Sequence, residues 1–167
     1  MANHDPIEII KGAILLEKRG RALYKHFAET AENKGVKDLF EMMADEEKLH
    51  IEILGKHMKA LHETGEIADI PLDSKPADFS CDIATADIVS QVAGAGSEAA
   101  AISAAIAMEK NAAEFYREGA EKSIKKNEKD LYNWLANWEE MHMKFLADID
   151  EELTEQVWMD NNFWPLF

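Results

Sequence analysis

The chain is short of several things at once, and each shortage excludes something. One cysteine in 167 residues, Cys81, rules out an internal disulfide and a built-in site with four cysteine ligands, and it fits a reducing, cytoplasmic setting. Four prolines and eight glycines are too few for a fibrous or linker-rich chain. Basic residues are scarce: 18 Lys and Arg face 33 Asp and Glu, for a net charge of −15. Nucleic acid and anionic membranes both need a basic surface, so neither is expected as a partner. No apolar run approaches the ~18 residues of a membrane span. The opening MANHDPIEII has no basic segment leading into a long apolar run, so no signal peptide is expected. What remains is 47% hydrophobic and long enough for one domain with a substantial core.

Apolar residues recur at helical spacing through most of the chain. A first helix is expected from about Pro6 to Ala31, with Asp5 as N-cap and Pro6 at the first helical position. Asn33, Lys34 and Gly35 break it, Gly35 suiting a left-handed C-terminal position. A second helix follows from about Val36 to His62. Most of the helix-breaking signals then fall between Glu63 and Gly96, around one short helical turn near Ala86 to Ala93. A third helix runs from Ser97 or Glu98 to about Ile124 and a fourth from about Glu128 to Leu153. The end, VWMDNNFWPLF, is apolar without clear period. Residues 1–153 thus read as one helical bundle and 154–167 as an apolar tail that packs on it or on a dimer partner.

The second helix carries an anomaly. Val36, Leu39, Phe40 and Met43 begin its apolar stripe and Leu54, Met58 and Leu61 finish it, but Glu47 and His50 occupy the middle. A carboxylate in a core is costly unless it is paired or bound to metal. The anomaly then repeats. Offset by 92 residues (109 − 17), Ala13 to Leu54 lies on Ala105 to Leu146 without a gap, with 15 of 42 positions identical. Glu17 meets Glu109, Tyr24 meets Tyr116, and EKLH (Glu47 to His50) meets EEMH (Glu139 to His142). Gly35 meets Asn127, both residue types that tolerate the left-handed conformation. Chance similarity between amphipathic helices would match apolar positions, whereas these matches include charged residues on the buried stripes.

Each half is therefore a helical hairpin with one Glu on its first helix and Glu-x-x-His on its second. Residues at i and i+3 project from one helix face. At about 1.5 Å of rise per residue from the turn, Glu17 lies level with the Glu47–His50 pair. Packing the hairpins face to face brings four Glu and two His together inside an all-α four-helix bundle. Two divalent cations would cancel four carboxylates. Oxygen ligands with one imidazole per metal suit iron or manganese better than structural zinc. This is also the ligand set of ferritin-like di-iron carboxylate proteins.

At these residues the sequence resembles the rubrerythrin and erythrin branch of the ferritin-like superfamily, over roughly Glu8 to Leu153. The resemblance implies a ferritin-like bundle of two repeated hairpins joined by a long crossover, holding two iron ions, with manganese as the alternative at one or both positions. It implies Glu17 and Glu109 as terminal ligands, Glu47 and Glu139 as bridges, and His50 and His142 as caps, one per iron. Tyr24 and Tyr116 match tyrosines beside such sites and are the candidate catalytic residues, as hydrogen-bond donors to ligand carboxylates; plain core tyrosines are the alternative. Two departures stand out. Ala112 occupies a position where rubrerythrins carry an additional Glu that takes part in a redox-linked ligand change. The chain also has too few cysteines for a rubredoxin domain, so electrons would come from an external donor such as a rubredoxin-like protein.

The leading functional reading is a non-haem di-iron oxidoreductase that reduces hydrogen peroxide or dioxygen in defence against oxidative stress. Ferroxidase and iron handling is the second reading, and a metal-binding module without turnover, or a different oxidation, the third. His57, whose repeat partner is Ile149, reads as structural or surface, and His4, His26 and His62 as surface. Met42, Met43, Met108, Met141 and Met143 read as core filling, and Glu114 as lying off the ligand face. The long crossover requires the second and third helices to run parallel. Its length also permits hairpins to pair between chains, giving a homodimer with a domain-swapped site.

Overall fold

A computed structural model of the chain describes residues 5–32, 34–72 and 96–160. Four helices account for nearly all of them: α1 (Pro6–Thr30), α2 (Lys34–Thr64), α3 (Gly96–Lys122) and α4 (Lys126–Asp160). Among the described residues no helix is long and apolar enough to cross a membrane. Cys81 and the turn expected near Ala86 to Ala93 lie outside the described residues, as do 161–167.

The start of α1 follows the sequence signals. Asp5 is extended, its Oδ1 accepts a hydrogen bond from the Ile7 N–H at 2.9 Å, and Pro6 opens the helix. Such a cap satisfies a backbone donor that the first turn leaves unpaired. The turn into α2 differs from expectation. Lys34 and Gly35 are already helical, so Gly35 is not a left-handed terminus. The Lys34–Asp38 pair and its repeat counterpart Lys126–Asp130 each brace the first turn of the second helix of a hairpin at i,i+4. Among the described glycines the left-handed one is Gly65 (φ 76°), directly after α2, where its N–H bonds the Leu61 carbonyl at 3.0 Å. The fourth helix also runs past Leu153 to Asp160, since nothing in TEQVWMD breaks a helix.

Contacts fix the directions. Phe40 stacks on Tyr24 while His50 faces Glu17, so α1 and α2 are antiparallel. Arg117 reaches Asn133 and Glu140 while Ser103 reaches Asp150, so α3 and α4 are antiparallel as well. Across the hairpins, Tyr24 meets Glu109 and Tyr116 meets Glu17, while Glu46 meets Trp138 and His50 meets Trp134. The pairs α1–α3 and α2–α4 are thus antiparallel too, which makes α2 and α3 parallel.

Two apolar clusters fill the bundle ends. One gathers Tyr24, Leu39, Phe40, Met43, Ile102 and Leu146 with their neighbours. The other gathers Tyr116, Leu131, Tyr132, Leu135, Ile10 and Leu54. The offset of 92 carries the first set onto the second residue by residue, so the repeat acts as a pseudo-twofold axis that exchanges the ends. Between the clusters lies a polar layer. It contains the six residues that interrupt the stripes.

Candidate metal centre

Glu17 sits on α1, Glu47 and His50 on α2, Glu109 on α3, and Glu139 and His142 on α4. All six are buried, none more than 2% exposed. They form two overlapping groups. One ligand atom from each of Glu17, Glu47, His50 and Glu139 lies within 4.8 Å of the others, and the same holds for Glu47, Glu109, Glu139 and His142. Glu47 and Glu139 belong to both. Glu139 presents Oε1 to Nδ1 of His50 at 3.1 Å and Oε2 to Nδ1 of His142 at 3.4 Å, so each oxygen serves one half. His50 Nδ1 is also 3.4 Å from Glu17 and from Glu47. His142 Nδ1 is 3.6 Å from Glu109.

Without a cation these groups must balance their own charge, and they do so poorly. Burial, then Glu17 and Glu139, push the Glu47 carboxyl well above its ordinary range. Burial and Glu139 raise Glu109 to about 8 against the pull of His142. Burial also opposes ionisation of Glu139, but His50 and His142 outweigh it and hold this carboxylate below its usual range. Desolvation disfavours the charged imidazoles; the surrounding carboxylates win, raising His50 well above its ordinary value and His142 to about 9. Even so, Glu47 Oε2, Glu109 Oε2 and both oxygens of Glu139 are buried without a hydrogen-bond donor from the protein. Buried acceptors are normally satisfied. Four orphaned carboxylate oxygens, aimed inward beside two imidazoles, fit a pair of divalent cations.

The tyrosines cross between hairpins. Tyr24 donates its hydroxyl proton to Glu109 Oε1, and Tyr116 donates to Glu17 Oε1. Each is fully buried, and burial together with the nearby carboxylates raises its pKa well above the ordinary value. Neither is placed to take up charge readily. Both orient a carboxylate of the opposite half.

Other residues sort plainly. His57 is buried at 1% exposure, with burial and then Lys56 lowering its pKa from the ordinary histidine value, and His26 and His62 are exposed. Glu114 is exposed beside Lys110. Met141 is 41% exposed and does not fill the core. Three features escaped the sequence reading. Gly20 lets α1 approach Glu47: a Cβ there would lie 3.2 Å from Glu47 Oε1. Trp138 donates from Nε1 to Glu46 Oε2 at 3.0 Å, and that oxygen is 4.0 Å from His142 Nε2. Trp134 packs perpendicular to Trp138, with ring centroids 4.7 Å apart. The repeat carried a signal for two of these, because the offset of 92 places Glu46 on Trp138, a charged residue on an indole.

The family model for rubrerythrin matches residues 8–150. Comparisons with curated proteins and with solved structures return no match. The matched span runs through all six residues of the polar layer and through both tyrosines. With a four-helix bundle and a buried carboxylate–imidazole cluster that fits a di-iron protein, the chain belongs to the rubrerythrin family.

Proposed function

We propose that the protein is a non-haem di-iron oxidoreductase that reduces hydrogen peroxide or dioxygen with electrons from an external donor. The observation that carries this reading is the overlap of the two four-residue groups at Glu47 and Glu139. In this reading Glu17 and His50 would hold one metal and Glu109 and His142 the other, with Glu47 and Glu139 available to both. Bound as a ferrous pair, iron supplies the two electrons that cleavage of an O–O bond requires.

The chain's own residues supply the rest. Carboxylates tolerate changes of binding mode as charge at the centre rises, and the orphaned oxygens of Glu47, Glu109 and Glu139 leave room for such changes. Tyr24 and Tyr116 hold Glu109 and Glu17 by one oxygen each, which fixes the carboxylate while leaving the second oxygen toward the centre. The two apolar clusters close the layer above and below and exclude bulk water. Ala112, buried at 5% exposure, offers no carboxylate, so any ligand rearrangement falls to the six residues present.

The test is anaerobic loading with two ferrous ions per chain, then stopped-flow addition of peroxide and, separately, of dioxygen. One equivalent of peroxide should oxidise both irons, and the iron should stay bound through repeated reduction. Iron released as a mineral product, from a particle the size of a hollow shell, would mark a ferroxidase instead. Absence of oxidation by either reagent would refute the reading.

A further inference from the structure

We infer that Glu46 is a positioning residue for His142 and makes the two metal positions unequal, so that the Glu109–His142 position fills before the Glu17–His50 position. The inference rests on the two-metal reading above and is independent of its redox step. It starts from a mismatch in the repeat. The offset of 92 carries His50 onto His142 but Glu46 onto Trp138. These two unlike side chains stand behind the histidines, each behind the histidine of the other hairpin.

Both imidazoles turn Nδ1 toward the carboxylates. His50 Nδ1 is 3.1 Å from Glu139, and His142 Nδ1 is 3.4 Å from the same residue. In each ring Nε2 is the nitrogen left to face outward. Behind His142 it meets an acceptor, Glu46 Oε2, at 4.0 Å. Behind His50 stand indoles. Trp138 lies perpendicular to the imidazole with ring centroids 4.9 Å apart, and Trp134 follows at 6.4 Å. Among the described residues no hydrogen-bond partner reaches His50 Nε2, although the atom is buried.

The difference bears on metal because of how a histidine divides its two nitrogens. A ring that binds metal through Nδ1 keeps its one N–H on Nε2. An oxygen opposite that N–H fixes the tautomer and the ring orientation and makes Nδ1 a better ligand; losing such a group typically costs about 10–100-fold in metal affinity. His142 has that oxygen and His50 does not. At 4.0 Å the pair is longer than a direct hydrogen bond. The effect is therefore attraction between the N–H dipole and the oxygen, acting where little water screens it.

Glu46 is fixed in turn. Trp138 donates from Nε1 to the same Oε2 at 3.0 Å. The indole thus aims Glu46 at His142 with its N–H and backs His50 with its ring. One tryptophan in place of the repeat's glutamate sets both sides of the inequality.

The test uses the full-length protein, stripped of metal, titrated anaerobically with ⁵⁷Fe(II) and read by Mössbauer spectroscopy. Glu17→Gln and Glu109→Gln first identify which quadrupole doublet belongs to which position. At half an equivalent of iron, wild type should favour the Glu109–His142 position by about 10–100-fold, and the second doublet should grow in after the first. Glu46→Ala should erase that order by weakening the Glu109–His142 position alone. Glu46→Gln should keep it, because Trp138 and His142 both donate and so turn the amide oxygen toward themselves. Trp138→Phe keeps a ring behind His50 but releases Glu46, so it should weaken the same position as Glu46→Ala. It also keeps the comparison available should Glu46→Ala fail to fold. The inference is overturned if wild type fills both positions equally, if Glu46→Ala weakens both alike, or if Glu46→Gln loses as much as Glu46→Ala. Wild-type protein that binds fewer than two ions per chain would instead sink the two-metal reading, and this inference with it.

Discussion

Glu109 takes its hydroxyl donor from Tyr24 on the other hairpin, and Glu17 takes its own from Tyr116. Sequence distance hides this exchange, because each tyrosine stands seven residues after the Glu of its own helix. The exchange gives a prediction that the opposite pairing would not. Tyr24→Phe should weaken metal at the Glu109–His142 position, and Tyr116→Phe at the Glu17–His50 position. Each loss should be about 10–100-fold in affinity, the usual cost of removing a group that orients a ligand. Ferrous titration of ⁵⁷Fe followed by Mössbauer spectroscopy resolves the two positions. Both variants emptying the same position, or each emptying the position of its own hairpin, would contradict the assignment.

Helix α1 shows site and scaffold in competition. Glycine inside a helix costs about 0.5–1 kcal/mol relative to alanine, yet Gly20 sits on the buried face of α1, where a Cβ would press on Glu47 Oε1 at 3.2 Å and on the Met108 methyl at 3.4 Å. Gly20→Ala should therefore raise the melting temperature of the metal-free protein while weakening metal binding, because Glu47 must give way. Calorimetry on both forms checks this, and equal stabilisation of the metal-free and loaded protein would show that Gly20 has no bearing on the centre.

The elements also show what the sequence made legible. The Asp5–Pro6 start, the Glu-x-x-His pairs and the gapless repeat are local or periodic signals, and they place the six polar residues on the correct faces. Gly35 misled because residue type alone does not say whether a glycine ends one helix or begins the next. The turn is so short that Gly35 falls into α2. The offset of 92 aligns Glu46 with Trp138 and so marks the mismatch, but alignment in a repeat does not say that the two residues touch across the hairpins, as they do. Met141 was misread because an apolar residue beside a buried stripe need not lie on it.

At the scale of the whole molecule, the polar layer sets how stability depends on pH. Glu47 and Glu109 have folded pKa values raised above 4.5, and His50 and His142 above 6.5. A raised folded value means the folded state holds its proton more tightly. That stability is complete below the unfolded pKa and is lost as pH rises through the folded one, which is about 8 for Glu109 and about 9 for His142. Glu139, held low, contributes the opposite way: its share is present above 4.5 and lost as pH falls through its depressed value. Metal-free protein should thus melt highest on the mildly acid side and progressively lower from there toward pH 9. Metal binding requires ionised carboxylates and neutral imidazoles, so it strengthens over the same range, and it stabilises the folded state by mass action. The melting gap between loaded and metal-free protein should widen as pH rises. A gap that stays constant from mildly acid to alkaline pH, by differential scanning calorimetry, would show that these groups do not titrate with folding.

The central claim is that Glu47 and Glu139 join the two halves into one centre. Mössbauer and magnetic susceptibility measurements on ⁵⁷Fe-loaded, oxidised protein test it directly, because bridging couples the spins of two ferric ions and separate sites do not. The account predicts two irons per chain, antiferromagnetically coupled, with the coupling and most of the iron lost in Glu139→Ala. Two uncoupled high-spin irons, or a single iron per chain, would contradict it.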